Sequence, residues 1–108
     1  MQYLVFDIET VSDGKLIQKC IFPGESLSPA AAISKYRDQL LEQSNGKSDF
    51  VPSTFQLPIS LALIAVDESF RITRIGSLDR GEFRPHKITQ DFWQTWIGRQ
   101  RPTMVTFN

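Results

Sequence analysis

The chain opens on the apolar run YLVFDIET at residues 3–10, which contains two acidic residues separated by one position. This composition predicts a β-strand, in which alternate side chains share a face and the backbone rises about 3.3 Å per residue. Asp7 and Glu9 are therefore expected on one face, with Cα atoms roughly 6.6 Å apart. Ionised carboxylates at the edge of a core are costly unless they are paired or bind a cation, and this run contains no Lys or Arg. The pair predicts a site for a divalent metal ion.

Size and composition restrict the class of protein. With 108 residues, 41% of them hydrophobic, the chain is long enough for one small domain. Twelve basic and twelve acidic side chains give a net charge of zero, so bulk charge favours no class of partner. The single cysteine, Cys20, excludes an internal disulfide and favours a reducing, cytoplasmic setting. No apolar stretch reaches the roughly 20 residues that span a bilayer, so we expect no membrane partner.

The part of the chain that follows the first strand predicts a helical excursion from the sheet. Residues 11–24 mix apolar residues with turn formers, and Ser28 before Pro29 is typical of a helix start. We predict a helix over residues 29–44, because apolar residues recur there at near-helical spacing before Asn45-Gly46. Residues 11–57 are thus expected to form a helical insertion within a single domain.

The middle of the chain predicts a β-hairpin. Residues 59–66 form the longest apolar run, which is typical of a central strand buried on both faces. Residues 70–75 alternate as a half-exposed strand does, and a turn at residues 67–69 predicts antiparallel pairing of the two strands. Residues 76–87 are expected to form a loop.

A second long helix is expected to begin at Thr89, whose hydroxyl would cap it, with Ile88 and Trp93 packing across the cap. Gly98 is placed to end this helix. We interpret both tryptophans as core anchors rather than as platforms for stacking bases. The apolar face of the helix is predicted to consist of Phe92, Trp93, Trp96 and Ile97.

The last strand is predicted over residues 103–107, after Pro102. A helix between the third and fourth strands suits a crossover connection, which makes the last strand parallel to the first. This arrangement would place Asn108 near Asp7. The expected fold class is α/β, with a mixed sheet of three antiparallel strands and a parallel fourth.

Two short motifs stand near the ends of this series of elements, FDIET at residues 6–10 and VTFN at residues 105–108. The first is similar to an opening Asp-x-Glu motif followed by Thr, and the second to the start of a motif in which a strand-end Asn precedes a Phe-Asp pair. In both, the chain resembles the DEDD 3′-5′ exonucleases of DnaQ-like, ribonuclease H-like fold, especially the group related to the exonuclease domain of family B DNA polymerases. Residues 50–52 and 55–60 also resemble that group's approach to its second strand.

The resemblance implies a metal-dependent 3′-5′ exonuclease acting on nucleic acid, with single-stranded DNA the favoured substrate. In the family, four carboxylates hold two Mg²⁺ or Mn²⁺ ions. Carried over, the resemblance makes Asp7 and Glu9 catalytic and metal-binding, and it makes Thr10, Phe107 and Asn108 contacts for the 3′ end of the substrate. The other two carboxylates would follow Asn108, so we expect a domain truncated after its fourth strand. We therefore expect the 108-residue chain to bind metal weakly or not at all and to be inactive. A longer protein that contains this chain would be the enzyme.

Several alternatives stay open. Asp7 and Glu9 are alternatively a solvated strand end that pairs with arginines of the next strand. A ribonuclease H-like binding domain without chemistry is a second function, and an actin-like ATPase is a weaker third, because such chains need glycine where Glu9 stands. If the chain ends at Asn108, an unpaired last strand predicts a dimer. Four arginines are interpreted either as phosphate contacts or, preferably, as solvated side chains: Arg71, Arg74, Arg80 and Arg84.

Overall fold

The computed structural model describes residues 1–107, which form a mixed sheet and three α-helices. The strands are β1 (Tyr3–Ser12), β2 (Gln56–Val66), β3 (Ile72–Leu78) and β4 (Thr103–Val105). The helices are α1 (Gly14–Ile21), α2 (Pro29–Gln43) and α3 (Pro85–Gly98). Single 3₁₀ turns occupy Ser53–Phe55 and Asp79–Gly81.

The sheet has the strand order β3-β2-β1-β4. Strands β2 and β3 form an antiparallel hairpin with a bulge between Ala65 and Val66. Strand β4 pairs parallel with β1, and their register ends at Val5 opposite Val105. The predicted α/β fold, with three antiparallel strands and a parallel fourth, is therefore confirmed.

The chain divides into two compact units. One contains Met1–Thr10 together with the chain from Pro58 onward, and the other contains Val11–Leu57. The interpretation of residues 11–57 as an insertion within an exonuclease domain remains a prediction.

Unit 11–57 is built on the packing of α1 against α2. A Cβ atom at Gly14 would collide with the backbone of Pro29, so glycine permits the two helices to approach closely. The buried core of this unit consists of Ile17, Phe22, Ala32, Tyr36 and Val51.

In the unit formed by the sheet, the core lies between the strands and α3. The even-numbered side chains Leu4, Phe6 and Ile8 of β1 contribute to this core. Because neighbouring side chains of a strand point to opposite faces, the odd-numbered side chains of β1 lie on the other face of the sheet. The remaining core residues are Leu61, Leu63, Leu78, Ile88, Phe92, Trp96 and Met104.

The helical excursion was predicted in part. Helix α2 begins at Pro29, and the Ser28 hydroxyl accepts a hydrogen bond from Ala31 N–H at 3.1 Å, as the sequence predicts. Helix α1 was not predicted, because Asp13 reads equally well as a turn former and as a helix cap. In the structure its carboxylate accepts a hydrogen bond from Leu16 N–H at 3.1 Å and starts the helix.

The predicted start of α3 is wrong. The helix begins at Pro85, one turn before Thr89, and the Thr89 hydroxyl donates to the Pro85 carbonyl at 3.0 Å inside the helix. The Ile88–Trp93 packing across a cap is therefore wrong as well. No described side chain caps α3. The Asp79 carboxylate instead accepts a hydrogen bond at 2.7 Å from the N–H of Arg84, the residue that precedes the helix.

The predicted apolar face of α3 is confirmed for Phe92 and Trp96 and wrong for Trp93 and Ile97. Ile88, Phe92 and Trp96 recur every four residues and form the face that packs on the sheet. Trp93 is 47% exposed and Ile97 57%, because they lie in the adjacent row of the helix surface. Trp96 is thus a core anchor, and Trp93 is not.

Three strand predictions are also corrected. Strand β2 is not buried on both faces, because Ser60 and Ala62 are exposed. Strand β3 covers residues 72–78 rather than 70–75, so part of the expected loop is strand. The carboxylate of Asp67 accepts hydrogen bonds from the N–H groups of Ser69 and Arg71, each at 2.9 Å, and so lengthens the turn of the hairpin. Strand β4 ends at Val105 instead of residue 107.

Candidate active site

Asp7 and Glu9 share one face of the sheet. The side chains that alternate with them point into the core beneath α3, and the ring of Phe6 lies 5.0 Å from that of Phe92 in an edge-on contact. This packing fixes the orientation of β1, because a slip of one residue would move every side chain to the other face. Both acidic residues are exposed. The structure therefore presents two carboxylates on the face opposite α3.

The carboxylate pair lies in β1 just beyond the part of the strand that pairs with β4. The register of β1 with β4 stops at Val5 opposite Val105, and Asp7 and Phe107 each follow two residues later. In open α/β sheets, ligands bind at the carboxyl ends of the strands. Asp7 and Phe107 therefore follow the paired part of the two strands at the same end of the sheet, and Glu9 lies two residues further along β1.

The other predicted site residues have different positions. Thr10 lies one residue beyond Glu9 in β1 and is exposed. Phe107 is 93% exposed, so its ring is open to a ligand. Asn108, predicted to contact the substrate and to lie near Asp7, is outside the described residues. The functional roles of all these residues remain predictions.

The carboxylates at this edge form a pair and not a larger cluster. Among residues 1–107, no group of three or more His, Cys, Asp or Glu side chains could hold a metal ion. Asp7 and Glu9 offer carboxylate oxygens, the ligands that hard divalent cations prefer. Two carboxylates would supply only part of the coordination shell of such a cation.

Two of the four candidate phosphate-binding arginines are already paired. Arg84 Nε donates to the Asp79 carboxylate at 2.8 Å, and the guanidinium lowers the pKa of Asp79. The same hydrogen bond raises the pKa of Arg84. The pKa of Asp67 is lowered, chiefly by the backbone N–H of Arg71, whose side chain also pairs with it at 3.2 Å. The Asp67–Arg71 pair lies in the hairpin turn, and the Asp79–Arg84 pair lies just before α3. We therefore interpret both pairs as parts of turns and not as a ligand site.

A protein-family model matches the sequence over residues 48–108, which is more than half of the chain. The family is described as a predicted 3′-5′ exonuclease related to the exonuclease domain of PolB. The chain belongs to this family. The matched segment begins after Asp7 and Glu9, so the acidic motif and the family match are independent observations. No curated protein and no solved structure matches the chain.

A second concave site was not predicted from the sequence. A cavity of about 280 Å³ lies between β3 and α3, with Leu4 and Leu63 in its lining. Its position is therefore on the α3 face of the sheet, opposite Asp7 and Glu9. From the sequence, Arg74 was grouped with Arg71, Arg80 and Arg84, and no role was predicted for Arg99, which also lines the cavity. Gly76 was the feature of the sequence that could have indicated this cavity, because a glycine within a strand often marks a place where a ligand or another backbone approaches closely.

No helix in the described part of the chain is long and apolar enough to cross a bilayer.

Proposed function

We propose that the protein acts as a metal-dependent 3′-5′ exonuclease on nucleic acid, with single-stranded DNA as the favoured substrate. Membership of a predicted exonuclease family supports the reaction type. The observation that carries the proposal is the placement of Asp7 and Glu9. Both are exposed on one face of β1, two and four residues beyond its last pairing with β4.

The donor set at this edge fits a hard divalent cation. Asp7 and Glu9 would hold Mg²⁺ or Mn²⁺ through their carboxylate oxygens. In a two-metal site, bound ions activate water and stabilise charge on the departing 3′ oxygen. With two carboxylates alone we expect affinities of about 10⁻³ M. We propose that the complete site recruits further carboxylates from outside residues 1–107.

The remaining predicted residues would position the substrate. Thr10 follows Glu9 on β1, and its hydroxyl is of a kind that donates to a phosphate or sugar oxygen. The exposed ring of Phe107 is suited to stack on the terminal base, because every base has an apolar face. Asn108 would hydrogen-bond to the same nucleotide. In this arrangement the chain's own groups orient the 3′ end beside the two carboxylates.

The test is a nuclease assay on the full-length protein that contains this chain, with 5′-labelled single-stranded DNA and RNA and added Mn²⁺ or Mg²⁺. We expect products shortened stepwise from the 3′ end and no cleavage in EDTA. Asp7→Asn or Glu9→Gln should slow cleavage by about 100-fold or more, because loss of a metal ligand removes several kcal/mol of transition-state stabilisation. The matched control is Glu68→Gln, which removes an exposed carboxylate from the hairpin turn.

Undiminished cleavage by Asp7→Asn and Glu9→Gln would contradict the proposal. A second candidate function is a ribonuclease H-like binding domain without chemistry. It is favoured by the finding that the carboxylates of residues 1–107 form a pair and no larger metal-binding group. Retention of single-stranded DNA by the full-length protein, without cleavage under any metal condition, would support this second candidate.

Self-association through β4 is a separate proposal. Strand β4 lies at the edge of the sheet, and an edge strand presents unpaired backbone groups to other chains. The mass of the 108-residue chain in sedimentation equilibrium tests this directly. A monomer at all concentrations would contradict it.

A further inference from the structure

We propose that the cavity between β3 and α3 binds a small organic phosphate monoester, at a site separate from the Asp7–Glu9 edge. The cavity has a volume of about 280 Å³. Leu4, Leu63 and Leu78 line it and also belong to the core that packs against α3. Its ligand would therefore lie on the face of the sheet opposite the two carboxylates.

The charges around the cavity select an anion. Arg74 and Arg99 line it, and its lining contains no Asp or Glu. Neither guanidinium forms an ion pair within residues 1–107, in contrast to Arg71 and Arg84. Two guanidinium groups thus line one site of a chain whose net charge is zero.

The chemistry of these side chains favours a phosphate monoester. A guanidinium offers planar, paired N–H donors that match phosphate oxygens. A phosphate monoester carries a charge of about −1.5 to −2 at neutral pH, which two arginines neutralise. Gln94 and Thr95 of α3 also line the cavity and supply neutral hydrogen-bonding groups.

The apolar lining calls for an apolar group attached to the phosphate. Gly76 creates the space, since a Cβ atom built at this position would have no other atom within 4 Å. Its partner in the register is Leu63, which also lines the cavity. The volume is near the lower end of the range for small-ligand sites, about 300 to 1,000 Å³. A single ring or a short alkyl group therefore fits, and phenyl phosphate is a suitable probe.

The test is titration of the 108-residue chain with phenyl phosphate, followed by calorimetry and by ¹H–¹⁵N spectra. We expect saturable shifts in β3 and the C-terminal half of α3. Inorganic phosphate lacks the apolar ring, and benzyl alcohol lacks the phosphate group. Each should therefore bind at least about tenfold more weakly than phenyl phosphate. Binding of inorganic phosphate as tight as that of phenyl phosphate would overturn the proposal.

Three variants locate the site. Arg74→Gln and Arg99→Gln should each weaken binding by about tenfold or more, as expected for a lost charged hydrogen bond. Gly76→Val should strongly weaken binding, because the valine side chain would occupy the open space beside this glycine, and the variant should fold because valine favours an extended strand. The control is Lys19→Gln, which removes a positive charge from the exposed side of α1 and should leave binding unchanged.

Each variant also has an outcome that overturns the proposal. Equal weakening by Lys19→Gln and Arg74→Gln would show that the phosphate responds to general charge. Unchanged binding by Gly76→Val, or shifts confined to the residues around Asp7, would place the ligand elsewhere. Because Asp7→Asn should leave phenyl phosphate binding intact, this test is independent of the nuclease proposal.

Discussion

The two faces of the sheet differ sharply in what they expose. On the α3 face, Leu4 is 1% exposed and Ile88 is fully buried. On the opposite face, Ile75 is 70% exposed, and the charged residues Asp7 and Glu9 are exposed as well. The buried core and the exposed carboxylates of β1 are thus on different faces. The α3 face forms the core, whereas the opposite face carries the predicted active site.

This difference shows that the single strand β1 contributes core side chains to one face of the sheet and exposed side chains to the other. In β1, Phe6 and Ile8 are held by the core, and the residues between and after them are thereby directed to the open side. A side chain that packs in the core orients its neighbour without touching it. Substitutions on the two faces should therefore have separable effects on stability and on metal binding.

The largest difference between the faces is expected from a matched pair of isoleucines. Ile88→Ala removes a side chain that is fully buried and should lower the free energy of unfolding by about 2 to 5 kcal/mol. Ile75→Ala, at a position 70% exposed, should change it by no more than about 0.5 kcal/mol. Urea denaturation measures both values. Equal decreases in the free energy of unfolding for the two variants would contradict the difference between the faces, since they would mean that Ile75 is packed as tightly as Ile88.

A smaller effect is expected where α3 is joined to β4. Trp96 Nε1–H donates a hydrogen bond to the Pro102 carbonyl at 2.9 Å. Trp96→Phe keeps an aromatic ring but removes the donor, so we expect a loss of about 0.5 to 1.5 kcal/mol in unfolding free energy. Trp93→Phe serves as the control, because Trp93 is 47% exposed and no hydrogen bond to its indole is seen in the described residues. A larger effect at Trp93 would contradict the assignment of the core face.

An effect confined to acid pH is expected at Asp79. Its folded pKa is lowered by Arg84, so as pH falls the unfolded state takes up the proton first. The stabilisation is present above the ordinary pKa of about 3.8 and is lost as pH falls through the lower folded value. Asp79→Asn should therefore show a shallower loss of stability below pH 4 than the parent.

Thermal unfolding measured from pH 2 to pH 7 tests this prediction. Asp38→Asn is the control, since it makes the same chemical change at an exposed position of α2. Identical pH profiles for the parent and Asp79→Asn would show that the Asp79–Arg84 pair contributes no pH-dependent stability.

The smallest effect on stability is expected at Glu9. Because this side chain is exposed, Glu9→Gln should alter the free energy of unfolding by no more than about 0.5 kcal/mol. The same change should weaken Mn²⁺ binding to the 108-residue chain, measured by the paramagnetic relaxation of water protons. Glu68→Gln should leave the Mn²⁺ affinity unchanged. A strong destabilisation by Glu9→Gln would show that Glu9 has a structural role instead.

The sequence correctly predicted those helices and strands whose ends are marked by residues at or next to the ends themselves. Helix α2 was predicted because Ser28 and Pro29 mark its start, and the hairpin because two strand patterns flank a short turn. The predicted start of α3 was wrong because no side chain next to the helix caps it. The residue before the helix, Arg84, is held instead by Asp79 of the preceding 3₁₀ turn. The cavity at Gly76 was missed because its walls come from four separate elements.

The sequence by itself determined that Asp7 and Glu9 share a face, because alternation is a property of the extended backbone and needs no partner strand. It also determined the parallel fourth strand, through the helix that precedes it. Only the tertiary structure decided which residues of α3 cover the other face, and that Arg74 and Arg99 line one cavity. These features depend on contacts between residues far apart in the chain, such as Phe6 with Phe92, and local patterns carry no information on such distances.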